Sequence, residues 1–509
     1  MTMNKAMTGT KERSNNASLL LTLKNEEGSF KDFVAKNKTN RRYLLIAACG
    51  IILPFIVFKI LYPFPDYFSD SYTYIAVAQN HAAISFRPVG YSRFLEFLHS
   101  ISVSDNFVIW VQYLLFNASA LFLFLTVRYF FNPGRLFTNI IFGFLFFNPA
   151  AWYISNTLAS DTVFIGLSLL FISGLLWVIN KPAKYAFLLP AIVVFLLFKT
   201  RFIAMYYPLI AVIAFLISRQ KTGHKLIGIA ACVLPILMEA QRIRNVTYEQ
   251  TGTAVFSAFS SWMSANTALI IYPYCTVEEA DFPTPESAEV NTITKNYFKR
   301  TGTLDFGTII VFKYMWEKDA PPKTYLFHNW ERQGYQNYFD AWNGAAPALK
   351  DFSNTVIRKN PGVFLKHFLL PNAKEYMAPD LESLAVYNVG SDSINQIAAE
   401  WYGYESPKIR VIDKTIQGSV LKPFPWLFGI INIIFVAAMI LFFIKRKKMK
   451  LPVEVPQSFL LITFFWCINL ASSVYATPIV FRFQLFPMFL YGIFSLVLMH
   501  YLNVYNKNR

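Results

Sequence analysis

The sequence predicts a mainly α, polytopic membrane protein of about ten transmembrane helices with a mixed extracytoplasmic domain. Three observations lead there. Hydrophobic residues make up 55% of the chain and charged residues only 15%, whereas soluble domains average about 25% charged. Ten apolar runs approach or reach the roughly 20 residues that cross a bilayer as a helix. Lys and Arg gather at alternate ends of those runs, as they do where basic loops stay on the cytoplasmic side.

Taken in order, residues 1–42 are polar and basic and lack the short apolar stretch of a signal peptide, so they read as a disordered cytoplasmic tail. A membrane module over 43–239 follows, with runs at about 43–63, 107–127, 136–151, 161–179, 185–198, 202–217 and 226–238. Its first outer loop spans 64–106. Residues 240–424 are too polar to span and too long for a plain loop, and form the extracytoplasmic domain. Runs at 425–444, 457–474 and 481–502 complete a C-terminal membrane unit over 425–509 that ends in a short cytoplasmic tail. With the amino terminus inside, every strongly basic junction but one lies in the cytoplasm. The exception is Lys199-Thr-Arg201. A cation that breaks the orientation rule inside the membrane portion is either functional or snorkels to the interface.

The net charge of +17 invites a nucleic-acid reading. Its distribution excludes it, because residues 241–424 hold 18 Lys and Arg against 19 Asp and Glu, leaving the excess to tails and short loops. Four scattered cysteines, Cys49, Cys232, Cys275 and Cys467, form no disulfide framework. No Cys/His metal-ligand cluster and no phosphate-loop, GxGxxG or HExxH motif is present.

The topology places the chemistry-bearing residues on one face. Asp66 and Asp70 stand four apart just after the first run, on one side of the segment if it is helical. Asp70 is either a base held beside a lipid-borne substrate or the N-cap of a helix starting at Ser71. Asp161 enters the fourth run, again as a functional acid or as a cap. Arg87 lies in the first outer loop and Arg201 and Arg482 at the ends of apolar runs, where the plain reading of an arginine is an interfacial anchor. The aromatics of 240–424, among them Trp330, Tyr335, Tyr338, Trp342 and Trp401, could stack on sugars or fill a core.

In order and on one face, these residues resemble the GT-C superfamily of integral-membrane glycosyltransferases, of the protein O-mannosyltransferase and lipid A aminoarabinose transferase type. The matching stretches are Asp70-Ser-Tyr-Thr-Tyr74-Ile-Ala-Val-Ala78 and Arg87-Pro88-Val-Gly90-Tyr91 in the first outer loop. Asn148-Pro149 with Ser155 and Ser160-Asp161, then Lys199-Thr-Arg201-Phe202, and finally Phe481-Arg482-Phe-Gln-Leu-Phe-Pro487 follow. The family's second acidic position is Ser71 here, which departs from a two-carboxylate metal site, so a divalent metal stays open and no cofactor is assigned. The likeness covers the membrane portion, a little over half of the chain. It implies an inverting transferase that moves a sugar from a polyprenyl-phosphate donor to a lipid, glycan or protein hydroxyl. It further implies a multi-pass protein of the plasma (inner) membrane, set among membrane lipids, with its active face extracytoplasmic. Asp70 is then the general base, and Asp66, Tyr74, Arg87, Tyr91, Asp161, Lys199, Arg201 and Arg482 bind substrate. Two other readings remain open. An O-antigen ligase or polymerase would depend on Arg and His in a late outer loop, which makes His328 the residue to compare with Asp70. A transporter or flippase would favour paired, interrupted spans at the midplane and no large outer domain.

Overall fold

Apolar runs of this length must satisfy their backbone groups internally in lipid, and helices do so. The computed structural model describes residues 29–302, 313–449, 451–476 and 479–507, and they are helical throughout, with three isolated β-bridges in place of any sheet. Among the described residues eight helices are long and apolar enough to cross a membrane, so the chain is a polytopic membrane protein. Asp161–Asn180 and Phe481–Lys507 are almost wholly enclosed by protein, whereas Lys38–Leu61 and Thr222–Thr251 turn most of their apolar side chains outward. Gly166 permits the close packing at the centre: a Cβ there would lie 3.2 Å from the Phe116 backbone.

The expected fifth and sixth runs are shorter apolar helices, Leu188–Thr200 and Phe202–Ile217. The first has 13 residues and is about 20 Å long, less than the roughly 30 Å of a bilayer core. Their junction at Arg201 is extended, with φ −150° and ψ 131°. The third run is also broken. Arg135–Phe146 stops at Phe147, Asn148 caps the Ala150 N–H (3.0 Å), and Pro149–Asn156 continues in a new direction. That second half delivers Asn156 and Thr157 to the first loop, where the Asp66 N–H donates to Asn156 O (2.9 Å) and Leu158 N–H to Asp66 O (3.0 Å).

Two expected boundaries are corrected. The tail was expected to be disordered to residue 42, but Phe30–Lys36 is a helix and Lys38–Leu61 follows directly. Phe30 is the reason, since its ring packs on Phe122, Tyr129 and Trp177 at 5.0–6.2 Å. Residues 1–28 lie outside the described residues. The boundary at 240 falls inside Thr222–Thr251, a single helix of 30 residues. Residues 258–302 and 313–368 then build their own core around Trp262 stacked on Trp342 at 3.6 Å, while Tyr376, Leu384, Tyr387 and Leu421 join the membrane bundle's core. The aromatics read as sugar platforms or core are mostly core here: Trp342 is fully buried, Trp330 donates to Tyr335 O (2.6 Å) and Trp401 stacks on His99.

The helix directions give a sidedness that can be measured. Cysteines introduced at the exposed positions Ser104 and Lys350, in a background without native cysteines, should react with an impermeant reagent from one side of sealed vesicles. Thr222 and Lys447, also exposed, should react from the other. Labelling of Lys447 together with Ser104 would contradict this path through the membrane.

Candidate functional site

Three helices begin at one place: Ser69–Gln79, Asp161–Asn180 and Phe481–Lys507. Helix N-termini carry partial positive charge, so Asp70 and Asp161 in two of the first turns are well placed. Arg482, in the first turn of the third, is not, and it is 7% exposed. A buried guanidinium there must be surrounded by acids. Its Nη1 lies 3.2 Å from Asp70 Oδ2 and 3.6 Å from Asp161 Oδ2, and its Nε lies 3.4 Å from Glu382 Oε2. Phe68 and Phe483 cover the faces of the guanidinium at 4.8 and 4.7 Å.

The chain of charges continues on both sides. Arg87 Nη2 donates to Asp70 Oδ1 at 2.6 Å and rests over Phe259. Arg201 donates to Asp161 Oδ1 and rests over Phe483 at 4.6 Å. The order is therefore Arg87, Asp70, Arg482, Asp161, Arg201. Segments separated by up to 412 residues in sequence meet in one alternating row, three cations to two acids, with Glu382 at its edge. Neither Asp is a helix cap: each carboxylate is spent on guanidiniums. Burial opposes ionisation of Asp70, but the fields of Arg87, Arg482 and Arg201 outweigh it and hold the carboxyl below its usual range.

This row floors a cavity of about 1430 Å³. Asp70, Tyr74, Arg87, Arg201, Arg482, Asp380 and Glu382 line it. The rest of the lining mixes apolar residues, among them Phe202, Ile203, Met263, Phe364 and Ile479, with polar uncharged ones, among them Tyr72, Asn388, Ser391, Ser393 and Asn395. Tyr74 is fixed by a 2.9 Å hydrogen bond to Ser160 Oγ. Asp161, the row's fourth member, lines a smaller cavity that shares Arg201, Ile203, Arg482 and Phe483 with the large one.

Three expected residues stand apart from this site. Asp66 precedes the helix and so shares no face with Asp70. Its carboxylate accepts from the Asn388 N–H (2.9 Å) and from Gln417 Nε2 (3.0 Å), which ties the loop at 387–390 to the bundle. Tyr91 is buried and donates to Gln112 Oε1 (3.0 Å). Lys199 turns to Glu239 (2.7 Å), a carboxylate it shares with Arg242. Its backbone carbonyl explains Gly90, since a Cβ there would fall 2.3 Å from it. His328 lies on an exposed helix surface 3.4 Å from Glu289, outside the cavity lining. Sequence reasoning missed Glu382, which sits in a stretch without a motif. Among the described residues no group of three or more His, Cys, Asp or Glu converges to hold a metal ion. Scans against family models, curated proteins and solved structures find no match to this chain.

Asp66 generates a test of its structural role. Burial pushes its carboxyl up to about 7 against the hydrogen bonds from Gln417 and Asn388, while the unfolded chain titrates near about 4. The folded state therefore keeps a proton that the unfolded chain has released. That contribution to stability is full below about pH 4 and is lost as pH rises through 7. Asp66→Asn stays neutral, so its melting temperature in detergent should vary less between pH 5 and 8 than the parent's. Equal slopes would contradict the assignment.

Proposed function

We propose that this protein is a membrane glycosyltransferase that moves a sugar from a polyprenyl-phosphate donor to an acceptor hydroxyl, with inversion, on the outer side of the plasma membrane. The single observation that carries the reading is the row of three guanidiniums and two carboxylates at the floor of a large cavity, at one end of a membrane bundle. Guanidiniums receive a phosphate through paired, charge-assisted hydrogen bonds. The apolar lining residues suit a prenyl chain, and the polar, uncharged ones suit hydroxyl-bearing substrates.

In the reaction, the acceptor oxygen attacks the anomeric carbon and the bond from that carbon to the phosphate oxygen breaks. The electron pair leaves with the lipid phosphate, whose charge Arg201, Arg482 and Arg87 stabilise. The acceptor's proton passes to Asp70. A carboxylate held at low basicity serves this role because the attacking oxygen becomes strongly acidic as its bond to carbon forms. The donor phosphate also draws on Arg87 and Arg482, which loosens their hold on Asp70 as the donor binds.

Lipid extracts of a deletion strain should accumulate a polyprenyl-phosphate sugar that the parent lacks. With that lipid as donor, Asp70→Asn should lower turnover by about 10²–10⁴-fold, the usual contribution of general acid–base catalysis, in protein that stays folded. Arg201→Lys keeps the charge but loses the planar fork, so activity should drop well below the parent's. Normal turnover in folded Asp70→Asn removes that residue from the mechanism, and normal turnover in Arg201→Lys reduces Arg201 to an anchor.

A further inference from the structure

Arg482 presents an unusual donor. The side chain is 7% exposed, yet its Nε–H has no hydrogen-bond partner among the described residues. Its nearest acid is Glu382, at 3.4 Å, longer than an ordinary charge-assisted hydrogen bond. A buried, unsatisfied charged donor is costly, and this one belongs to a residue that lines the large cavity.

Glu382 is just as unusual. It is a non-glycine residue at φ +50°, a conformation that persists where surrounding structure imposes it and that gathers at functional sites. Its backbone N–H is held by Asp380 Oδ1 (2.6 Å), and the Asp380 carbonyl accepts from the Phe481 N–H (2.7 Å), one residue before Arg482. The loop is thus pinned to the start of the Arg482 helix. Oε2, the oxygen that faces Arg482 Nε, accepts from the Ser383 N–H (3.0 Å) and Oγ (2.8 Å). The other bears no hydrogen bond among the described residues, and the side chain is 32% exposed, against 7% for Asp70 and 3% for Asp161. Of the three acids around Arg482, Glu382 is the most exposed and the one without a hydrogen bond to a guanidinium among the described residues.

From this geometry we infer that Glu382 is the exchangeable counter-ion of a lipid-phosphate position at Arg482 Nε. The inference rests on the glycosyltransferase reading and deepens it. With Glu382 in place the cluster is neutral, three guanidiniums against three carboxylates. A polyprenyl-phosphate sugar is a phosphodiester with one negative charge. It enters by taking the Arg482 Nε–H and displacing one carboxylate of equal charge, and Glu382 swings aside, breaking the Ser383 hydrogen bonds that hold its Oε2 beside Arg482. Transfer leaves a phosphate monoester with a second ionisable oxygen. The return of Glu382 to Arg482 then opposes that extra charge and helps expel the spent lipid. Glu382 in this account is a positioning residue that sets the donor's affinity and the product's release.

The test measures binding of farnesyl phosphate, with farnesol as the uncharged control, to the full-length purified protein in nanodiscs. Glu382→Gln keeps the side chain's size and removes its charge. It should bind farnesyl phosphate roughly tenfold more tightly than the parent, through slower dissociation, because a competing like charge a few ångströms away is gone. Farnesol binding should not move. Ser383→Ala, which removes only the hydroxyl that steadies Glu382, should shift affinity the same way by less, and it decides the matter should Glu382→Gln fail to fold. Parent and variants binding farnesyl phosphate equally well, or folded variants binding it more weakly, overturns the exchange while leaving the lipid-phosphate reading intact. Absence of any preference for farnesyl phosphate over farnesol in the folded parent overturns both.

Discussion

Everything at the candidate site depends on Arg482 being ionised where few charges are tolerated. It opens the most enclosed helix of the bundle, Phe481–Lys507, at an end whose dipole disfavours a cation. Removing either acid of a buried pair leaves an uncompensated charge and costs about 3–5 kcal/mol. Asp70 and Asp161 therefore have to be where they are, and each brings its own helix start with it. Arg87 and Arg201 complete the row from two further segments. The same ion pairs that make a receptive surface for an anion hold five parts of the chain in register.

The architecture around the row follows from how helices end. Leu188–Thr200 is too short to cross a bilayer, and its extended junction leaves Arg201 beside Asp161 instead of in headgroup water. Asn148-Pro149 breaks the third apolar run and turns its second half toward the first loop. There Asp66 joins that half to the 387–390 loop through Asn388 and Gln417. Asp66 thus acts through the loop at 387–390, whose Asn388 and Val389 line the cavity.

Much of this was legible in the sequence because hydropathy and charge are local signals. The eight long helices stand on runs of apolar residues, and Asp70, Arg87, Asp161, Arg201 and Arg482 stood out as charges beside or within them. What was not legible depends on partners far away in the chain. Asp66 and Asp70 are four residues apart, but the helix starts between them, at Ser69. Lys199 and Arg201 are two apart and belong to different ion clusters, since an extended residue sends neighbours to opposite sides. The docked helix Phe30–Lys36 carries no span-like signal, only Phe30 and Phe33, whose targets lie on other helices. Glu382 has no neighbouring pattern at all, and its place is set by the backbone bridge from Asp380 to the start of the Arg482 helix. The boundary at 240 reflected a change in composition that one long helix simply crosses.

The central claim is that the guanidinium row receives the phosphate of a membrane lipid. Photo-crosslinking tests it most directly, with a polyprenyl phosphate carrying a diazirine on the isoprene unit next to the phosphate, in nanodiscs of the full-length protein. Mass spectrometry should find the adducts on the segments around Ile203 and Ile479, which line the cavity next to Arg201 and Arg482 in the chain. Unlabelled polyprenyl phosphate should compete them away and polyprenol should not. Adducts spread over the lipid-facing side chains of Lys38–Leu61 and Thr222–Thr251, and insensitive to competition, would contradict the account.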